Sequence, residues 1–160
     1  MEESVNASAD FENTENGDGL VQIMQAFDLS KQDYRSFNAL TLAYIGDAIF
    51  DLVIRTVVIF RSHKQVNELN KKTTRFVKAE TQAVMIQGLL DDALLTEEEK
   101  AVYKRGRNTK SHTVAKNASV AAYRKATGFE AVLGYLYVTG QMGRILELTK
   151  AGVRYTDLDL

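Results

Sequence analysis

Apolar residues recur at helical spacing in two long segments of the chain. The segment from Ser36 to about Phe60 is apolar on nearly every side of a helix, which predicts a central, buried helix with Ser36 as its N-cap. A second long helix is predicted from about Asn117 to Tyr137. No run of alternating β-branched residues is bounded by hairpin turns, and the chain contains no proline. The pattern therefore predicts an all-α fold.

Shorter segments complete the helical pattern. Helices are expected after Leu20, in a short piece after His63, from about Thr73 to Leu90, from Thr96 to Gly106, and from Met142 to about Val153. Thr96 precedes three glutamates, an arrangement typical of an N-cap with acids in the first helical turn. Residues 1–19 are polar and acidic and are expected to form a disordered tail. Residues 20–155 are expected to form one domain, followed by a C-terminal tail at 156–160.

Composition excludes several classes of protein and site. The 160 residues are 45% hydrophobic and 26% charged, as in an ordinary globular domain, and no apolar run is long enough to cross a membrane. The acidic N-terminus does not resemble a secretory signal, so a cytoplasmic protein without membrane association is expected. Without cysteine there are no disulfides, thiolate metal sites or cysteine nucleophiles. The two histidines, His63 and His112, are too few for an extensive metal site.

The net charge of −1 conceals an asymmetric distribution. Of the 21 acids, six lie within residues 1–19, which leaves 20 bases against 15 acids in the remainder. The segment from Lys100 to Lys125 contains eight bases and no acid. This basic segment indicates a nucleic-acid partner. A solvated charged face is the alternative, and it is the more common reason for a charge run.

Asp47 and Glu130 are isolated acids in the middle of the two long apolar helices. A buried carboxylate is costly unless something replaces its lost hydration, and a divalent cation shared where the helices cross would do so. Small residues near both acids, namely Gly46, Ala48, Ala131 and Gly134, favour a close helix crossing. Because the other ligand types are scarce, oxygen ligation of Mg²⁺, or of Mn²⁺ in its place, is expected.

A purely structural role for the two acids is the alternative, with Arg55, Arg75 or Arg124 as their ionic partners. Spacing alone favours neither interpretation. Asp51 lies one helical turn after Asp47 on the same side, and we expect it not to be a metal ligand.

Two motifs carry a family resemblance. The segment LAYIGDAIFDLVI resembles the first signature of the ribonuclease III family, and ATGFEAVLGYLY resembles its second. Together with KRGRNTKS, they resemble the minimal Mini-ribonuclease III branch, which lacks a separate double-stranded-RNA-binding domain. The resemblance covers about Ser36 to Leu148 and identifies Asp47 and Glu130 as the catalytic, metal-binding pair.

The chain also departs from the wider family at three positions. Full-length ribonuclease III has two further glutamates at the positions of Leu40 and Ala43. It has an aspartate at the position of Thr127. These departures agree with the reduced acid set of the minimal branch.

The resemblance implies an all-helical homodimer that cleaves double-stranded RNA in a basic valley, with 5′-phosphate and 3′-hydroxyl products. It further implies 23S ribosomal RNA precursor as substrate, with a large-subunit ribosomal protein as a candidate partner. The catalytic body must then hold the duplex itself, through phosphates and 2′-hydroxyls. The residues expected to contact RNA are Lys72, Arg75, Lys78, Lys104, Arg105, Arg107, Asn108, Thr109, Lys110, Ser111 and Lys116. A non-catalytic protein that binds structured RNA with the same fold is the alternative.

Overall fold

The structure, a computed structural model, describes residues 18–109 and 119–160. Within these ranges all long regular elements are α-helices, which confirms the predicted all-α fold. Contacts divide the chain into two units, Met1–Gln32 and Asp33–Leu160. In the first unit, helix α1 spans Gly19–Ala26 and Asp18 caps it. The predicted disorder of residues 1–17 and the predicted RNA contacts of Lys110, Ser111 and Lys116 lie outside the described residues.

Six α-helices form most of the described part of the second unit. They are α2 (Ala39–Arg61), α3 (Val66–Val77), α4 (Ala79–Asp91), α5 (Glu97–Asn108), α6 (Val120–Val138) and α7 (Met142–Val153). The bounds of α7 confirm its prediction. Helix α6 begins at Val120 because the Ser119 hydroxyl accepts the Ala122 amide, three residues beyond the predicted start near Asn117.

Helix α2 begins later than predicted. Ser36 does not cap it but ends a short 3₁₀ turn, Tyr34–Ser36, and Asn38 is the N-cap. The Asn38 side chain accepts the Thr41 amide at 2.8 Å. Both residue types are good caps, so the local sequence did not decide between them.

The central helix of the core is α6, which packs against α2, α4, α5 and α7. Its residues from Ala126 to Gly134 are buried, apart from the half-buried Glu130. The prediction that α2 is buried on all sides is wrong for the single chain. One face of α2 packs in the core through Leu42, Phe50 and Ile54, while the opposite face is exposed.

The predicted helix from Thr73 to Leu90 is two helices that meet at Lys78. Lys78 has an extended backbone and is both the C-cap of α3 and the N-cap of α4. Two buried side chains of α4 bind carbonyls at the end of α3. Thr81 Oγ1 donates to Arg75 at 2.5 Å, and Gln82 Nε2 donates to Val77 at 3.0 Å. Apolar spacing continues across the break, so periodicity did not reveal it.

Helix α5 starts with the predicted cap. Thr96 and Glu99 form a reciprocal capping box. The carboxylate of Glu99 is buried and receives two hydrogen bonds from Arg144 of α7, both at 2.9 Å. The helix does not stop at Gly106 as predicted but continues to Asn108. Gly106 packs inside the fold, because its missing side chain lets α5 approach Gly128.

The C-terminal residues pack against this core as well. Leu158 and Leu160 contact it, and Arg61 donates to the Leu160 carbonyl. None of the helices in residues 18–109 and 119–160 is both long and apolar enough to cross a membrane.

Candidate metal centre and nucleic-acid surface

Two glycines bring α2 and α6 into backbone contact. A Cβ at Gly46 would lie 2.8 Å from the Gly134 nitrogen and closer still to the Glu130 carbonyl oxygen. A Cβ at Gly134 would collide in the same way with the Leu42 carbonyl. The predicted close crossing is therefore present, although Ala48 does not contribute to it because it is exposed.

This crossing places Asp47 and Glu130 near each other. Gly46 precedes Asp47, and its backbone meets the carbonyl of Glu130 itself. Burial raises the pKa of Glu130 to about 8, and the charge of Asp47 adds to the effect. The pKa of Asp47 is also raised, first by desolvation from neighbouring atoms, although the side chain is exposed, and then by the charge of Asp51. The charge of Asp47 therefore disfavours ionisation of Glu130, whose carboxyl favours its protonated form at neutral pH.

The expected burial holds for one acid only. Glu130 is half-buried, whereas Asp47 is exposed in the single chain. Asp47 is exposed because it lies on the outer face of α2, between Tyr44 and Asp51.

The described residues provide no basic partner for either acid. Arg55, one of three candidates, pairs instead with Asp51, with its Nε 2.7 Å from Oδ2. Arg75 and Arg124 form no ion pair with Asp47 or Glu130 within residues 18–109 and 119–160. In this part of the chain, no buried arginine therefore compensates the two acids.

Gln82 of α4 is a polar residue at the site that sequence reasoning missed. Its side chain is fully buried. Burial and the charge of Asp47 raise the pKa of Glu130, and a hydrogen-bond interaction with the Gln82 side chain partly offsets that rise. Its Oε1 has no hydrogen-bond partner among the described residues. The only sequence feature that could have indicated Gln82 is its place beside the apolar stretch AVMIQGLL. Glutamine in such a position is usually exposed, so its burial was not expected.

The donor set fits a hard divalent cation. Mg²⁺ commonly binds one or two carboxylates and retains several waters, and the acid pair with the unpartnered Gln82 oxygen supplies such an environment. No cluster of three or more histidine or acidic residues suited to a metal occurs in the described ranges. Any cation here would therefore take its remaining ligands from water and substrate.

The predicted RNA contacts lie mainly at two helix ends. Lys72 and Arg75 are on the last turns of α3, and Lys78 is at its junction with α4. The other described ones, Lys104, Arg105, Arg107, Asn108 and Thr109, form the end of α5 and its cap. Most are exposed; Lys72, Arg107 and Thr109 are half-buried.

The basic end of α5 lies beside the segment of α6 that carries Glu130. A Cβ at Gly106 would lie 2.9 Å from both Gly128 Cα and Ala131 Cβ. These residues flank Glu130 in α6. The fold therefore packs the basic end of α5 against the same segment of α6, a link that spacing along the sequence does not show.

The outer face of α2 is unusually apolar for an exposed surface. Tyr44 and Phe60 are 81% and 76% exposed, and Leu40, Leu52 and Ile59 lie exposed on the same helix. We call these five residues the α2 stripe. Large apolar side chains exposed along one helix favour an interaction surface.

The residues at the three departures have ordinary environments. Leu40 is exposed and Ala43 is buried in the α2 contact with the core. Thr127 is buried, and its hydroxyl donates to the Tyr123 carbonyl at 3.0 Å. None of them provides a carboxylate, so Asp47 and Glu130 remain the acid pair of this crossing.

Comparisons with known proteins agree on a single family. A family model described as the Ribonuclease III domain matches residues 40–141. A protein of Enterococcus faecalis named Mini-ribonuclease 3 is 49% identical over 117 residues, which cover 73% of this chain and 89% of that protein. A Clostridium tetani protein of the same name is 50% identical over 124 residues, covering 77% and 81%. A Fusobacterium nucleatum crystal structure superposes with a TM-score of 0.69 at 30% identity, covering 77% of this chain and 97% of that one.

Proposed function

This chain belongs to the ribonuclease III family of endoribonucleases, and from that premise we propose that it cleaves double-stranded RNA in a metal-dependent reaction. Asp47 and Glu130 are the catalytic and metal-binding residues of the proposal. Mg²⁺ is the proposed cofactor, with Mn²⁺ able to replace it. Hydrolysis would leave 5′-phosphate and 3′-hydroxyl ends.

The observation that carries this proposal is the uncompensated acid pair at the glycine crossing. Glu130 has a strongly raised pKa to which the charge of Asp47 contributes, and neither acid has a basic partner among the described residues. A perturbed acid pair of this kind is typical of a functional site. A bound divalent cation would lower the pKa of a water molecule and offset charge on the scissile phosphate. The role of Asp47 and Glu130 is to hold that cation, and α2 and α6 fix the distance between them.

The basic residues hold the substrate in this proposal. Phosphate contacts supply most of the affinity for a duplex and do not depend on its sequence. The end of α5 packs against the segment of α6 that contains Glu130, and Lys104, Arg105 and Arg107 are the bases of that end that bind phosphates in this proposal. Asn108 and Thr109, with Lys110, Ser111 and Lys116 beyond the described range, extend this surface. Lys72, Arg75 and Lys78 supply a second set of contacts.

We further propose a homodimer formed through the α2 stripe. Large apolar side chains exposed along one helix need a partner surface, and a two-fold pair of α2 helices would bury each stripe against its copy. Two active sites in a dimer can cleave the two strands of a duplex. The resemblance to the minimal branch supports a cytoplasmic role on 23S ribosomal RNA precursor, with a large-subunit ribosomal protein as candidate partner.

The test of this function is cleavage of long duplex RNA with and without Mg²⁺. We expect wild-type protein to cut only with the metal. Asp47→Asn and Glu130→Gln should abolish cutting while preserving the fold and RNA binding, because each replaces a carboxyl with an amide of nearly equal size. Asp157→Asn, at an exposed acid near the C-terminus, is the control and should cleave normally.

Two outcomes would refute this function. Absence of cleavage by wild-type protein that still binds duplex would support a non-catalytic RNA-binding protein instead. Unfolding of both amide variants would assign the acids a structural role.

A further inference from the structure

Gln82 leaves one end of its amide unused inside the protein. Its side chain is fully buried on the first turn of α4, and its Nε2 donates to the Val77 carbonyl at 3.0 Å. A carbonyl only accepts hydrogen bonds, so the amide nitrogen must face Val77. The remaining atom, Oε1, is an acceptor with no partner among the described residues.

A buried acceptor without a donor is destabilising, whereas an apolar side chain of the same shape carries no such cost. The residues that α4 buries beyond Gln82, namely Met85, Ile86 and Leu89, are all apolar. Gln82 is therefore a poor choice for packing alone. Once Glu130 is ionised, as cation binding requires, no group of the described chain donates to the Oε1 of Gln82.

The place of Gln82 indicates which donor this is. Helix α4 packs against α6, and the Gln82 side chain acts directly on the Glu130 carboxylate. A hydrated Mg²⁺ or Mn²⁺ at Asp47 and Glu130 would bring water into this region, since Mg²⁺ usually retains several waters when protein-bound. Polar groups that bind such waters and ligands orient the whole metal site.

We propose that Gln82 is a positioning residue for the metal centre, with Oε1 accepting a hydrogen bond from the hydration shell of the cation. Val77 holds the amide in the orientation that presents this oxygen. The inference rests on the proposed function, because it requires Asp47 and Glu130 to bind a divalent cation.

The first test measures Mn²⁺ affinity of the full-length protein from the electron paramagnetic resonance signal of free Mn²⁺. We expect Gln82→Met to bind Mn²⁺ about 10- to 100-fold more weakly than wild type, with an unchanged circular dichroism spectrum. Thr149→Val is the matched control, because Thr149 Oγ1 is also buried without a described partner but lies on α7. It should bind Mn²⁺ like the wild type.

The outcomes separate the two proposals. Wild-type affinity in Gln82→Met would overturn the role of Gln82 and leave the proposed function intact. Equal losses in Gln82→Met and Thr149→Val would also overturn it, because a general effect of core substitution would then explain both. Failure of wild-type protein to bind Mn²⁺ would overturn the metal-dependent function and this inference together.

A second measurement uses only the wild-type protein, so it does not depend on whether a variant folds. During Mg²⁺ titration of wild-type protein, the side-chain amide resonances of Gln82 should shift together with the backbone signals of Asp47 and Glu130. The Gln87 amide, which binds Asp91 on the same helix, serves as internal control and should not move. A stationary Gln82 amide alongside moving Asp47 and Glu130 signals would refute the proposal.

Discussion

Replacing Gly46 with alanine adds one methyl group where α2 and α6 leave no space for it. The new Cβ would lie 2.8 Å from the Gly134 nitrogen and nearer still to the Glu130 carbonyl oxygen, whereas carbon and oxygen ordinarily approach to about 3.3–3.6 Å. Both neighbours are helix backbone, so no side-chain rotation relieves the overlap. The two helices must instead separate by roughly 1.5 Å.

The separation has a cost in stability and in activity. Overpacking of a core typically costs about 1–3 kcal/mol and occasionally more, while alanine gains about 1 kcal/mol over glycine within a helix. Because the collision at Gly46 is between backbones, we expect a net loss of about 3 kcal/mol in the free energy of unfolding. For a unit of this size that lowers Tm by about 10 °C. Displacing Asp47 from Glu130 by about 1 Å should slow cleavage about 100-fold.

Thermal unfolding followed by circular dichroism measures the first effect, and duplex cleavage well below the variant's Tm measures the second. Gly143→Ala is the matched control, because Gly143 is also helical and a Cβ there meets nothing within 4 Å. It should match or slightly exceed wild-type stability and cleave at the wild-type rate. A Gly46→Ala protein that melts and cleaves like Gly143→Ala would refute the argument for a glycine-set crossing.

Three further predictions concern stability, pH and assembly. Arg144→Met should cost about 3 kcal/mol in the free energy of unfolding, because it leaves the buried Glu99 without its main ionic partner; Arg35→Met, at an exposed pair, should cost under about 1 kcal/mol, and equal denaturation midpoints for the two variants would contradict this. Desolvation raises the pKa of Glu99, but hydrogen bonds from Arg144 and the Thr96 backbone outweigh it and leave the pKa lowered. That stabilisation is therefore complete above the unfolded pKa of about 4.3 and lost as pH falls through the folded value, so the stability difference between wild type and Glu99→Gln should shrink between pH 6 and pH 3; a constant difference would show that ionisation of Glu99 is not its source. Tyr44→Ser with Phe60→Ser should shift sedimentation velocity profiles from dimer toward monomer with little change in secondary structure, and an unchanged dimer would place the interface elsewhere.

Local signals in the sequence were reliable where a few neighbouring residues decide the structure. The Thr96 capping box is such a case, because cap and partner lie three residues apart. The end of a helix is less certain when packing decides it. Gly106 was predicted to stop α5, yet the helix continues past it, because the absence of a side chain is used for contact with Gly128. The same residue type serves both purposes, and only the tertiary neighbour distinguishes them.

The candidate site shows a similar limit. The two acids and the small residues beside them predicted a helix crossing, and the structure contains it. The prediction that Asp47 is buried was wrong for the single chain, because the whole apolar surface of α2 was assigned to the core. Hydrophobic pattern measures how much surface a helix must bury but does not say whether its own chain or a second copy covers it. The exposed α2 stripe is consistent with the second possibility.

The position of the glycines explains how a short chain holds the acids with few supporting residues. Gly46 precedes one acid, and its partner surface is the backbone of the other. The contact that sets the distance between the helices is therefore also the contact that sets the distance between Asp47 and Glu130. A displacement of one helix displaces its acid by a similar amount. A crossing made by larger side chains would let rotamers absorb a shift before it reached the backbone. Here any substitution that moves the helices apart must also move the acids, so stability and cleavage should fall together along a series of larger residues at position 46.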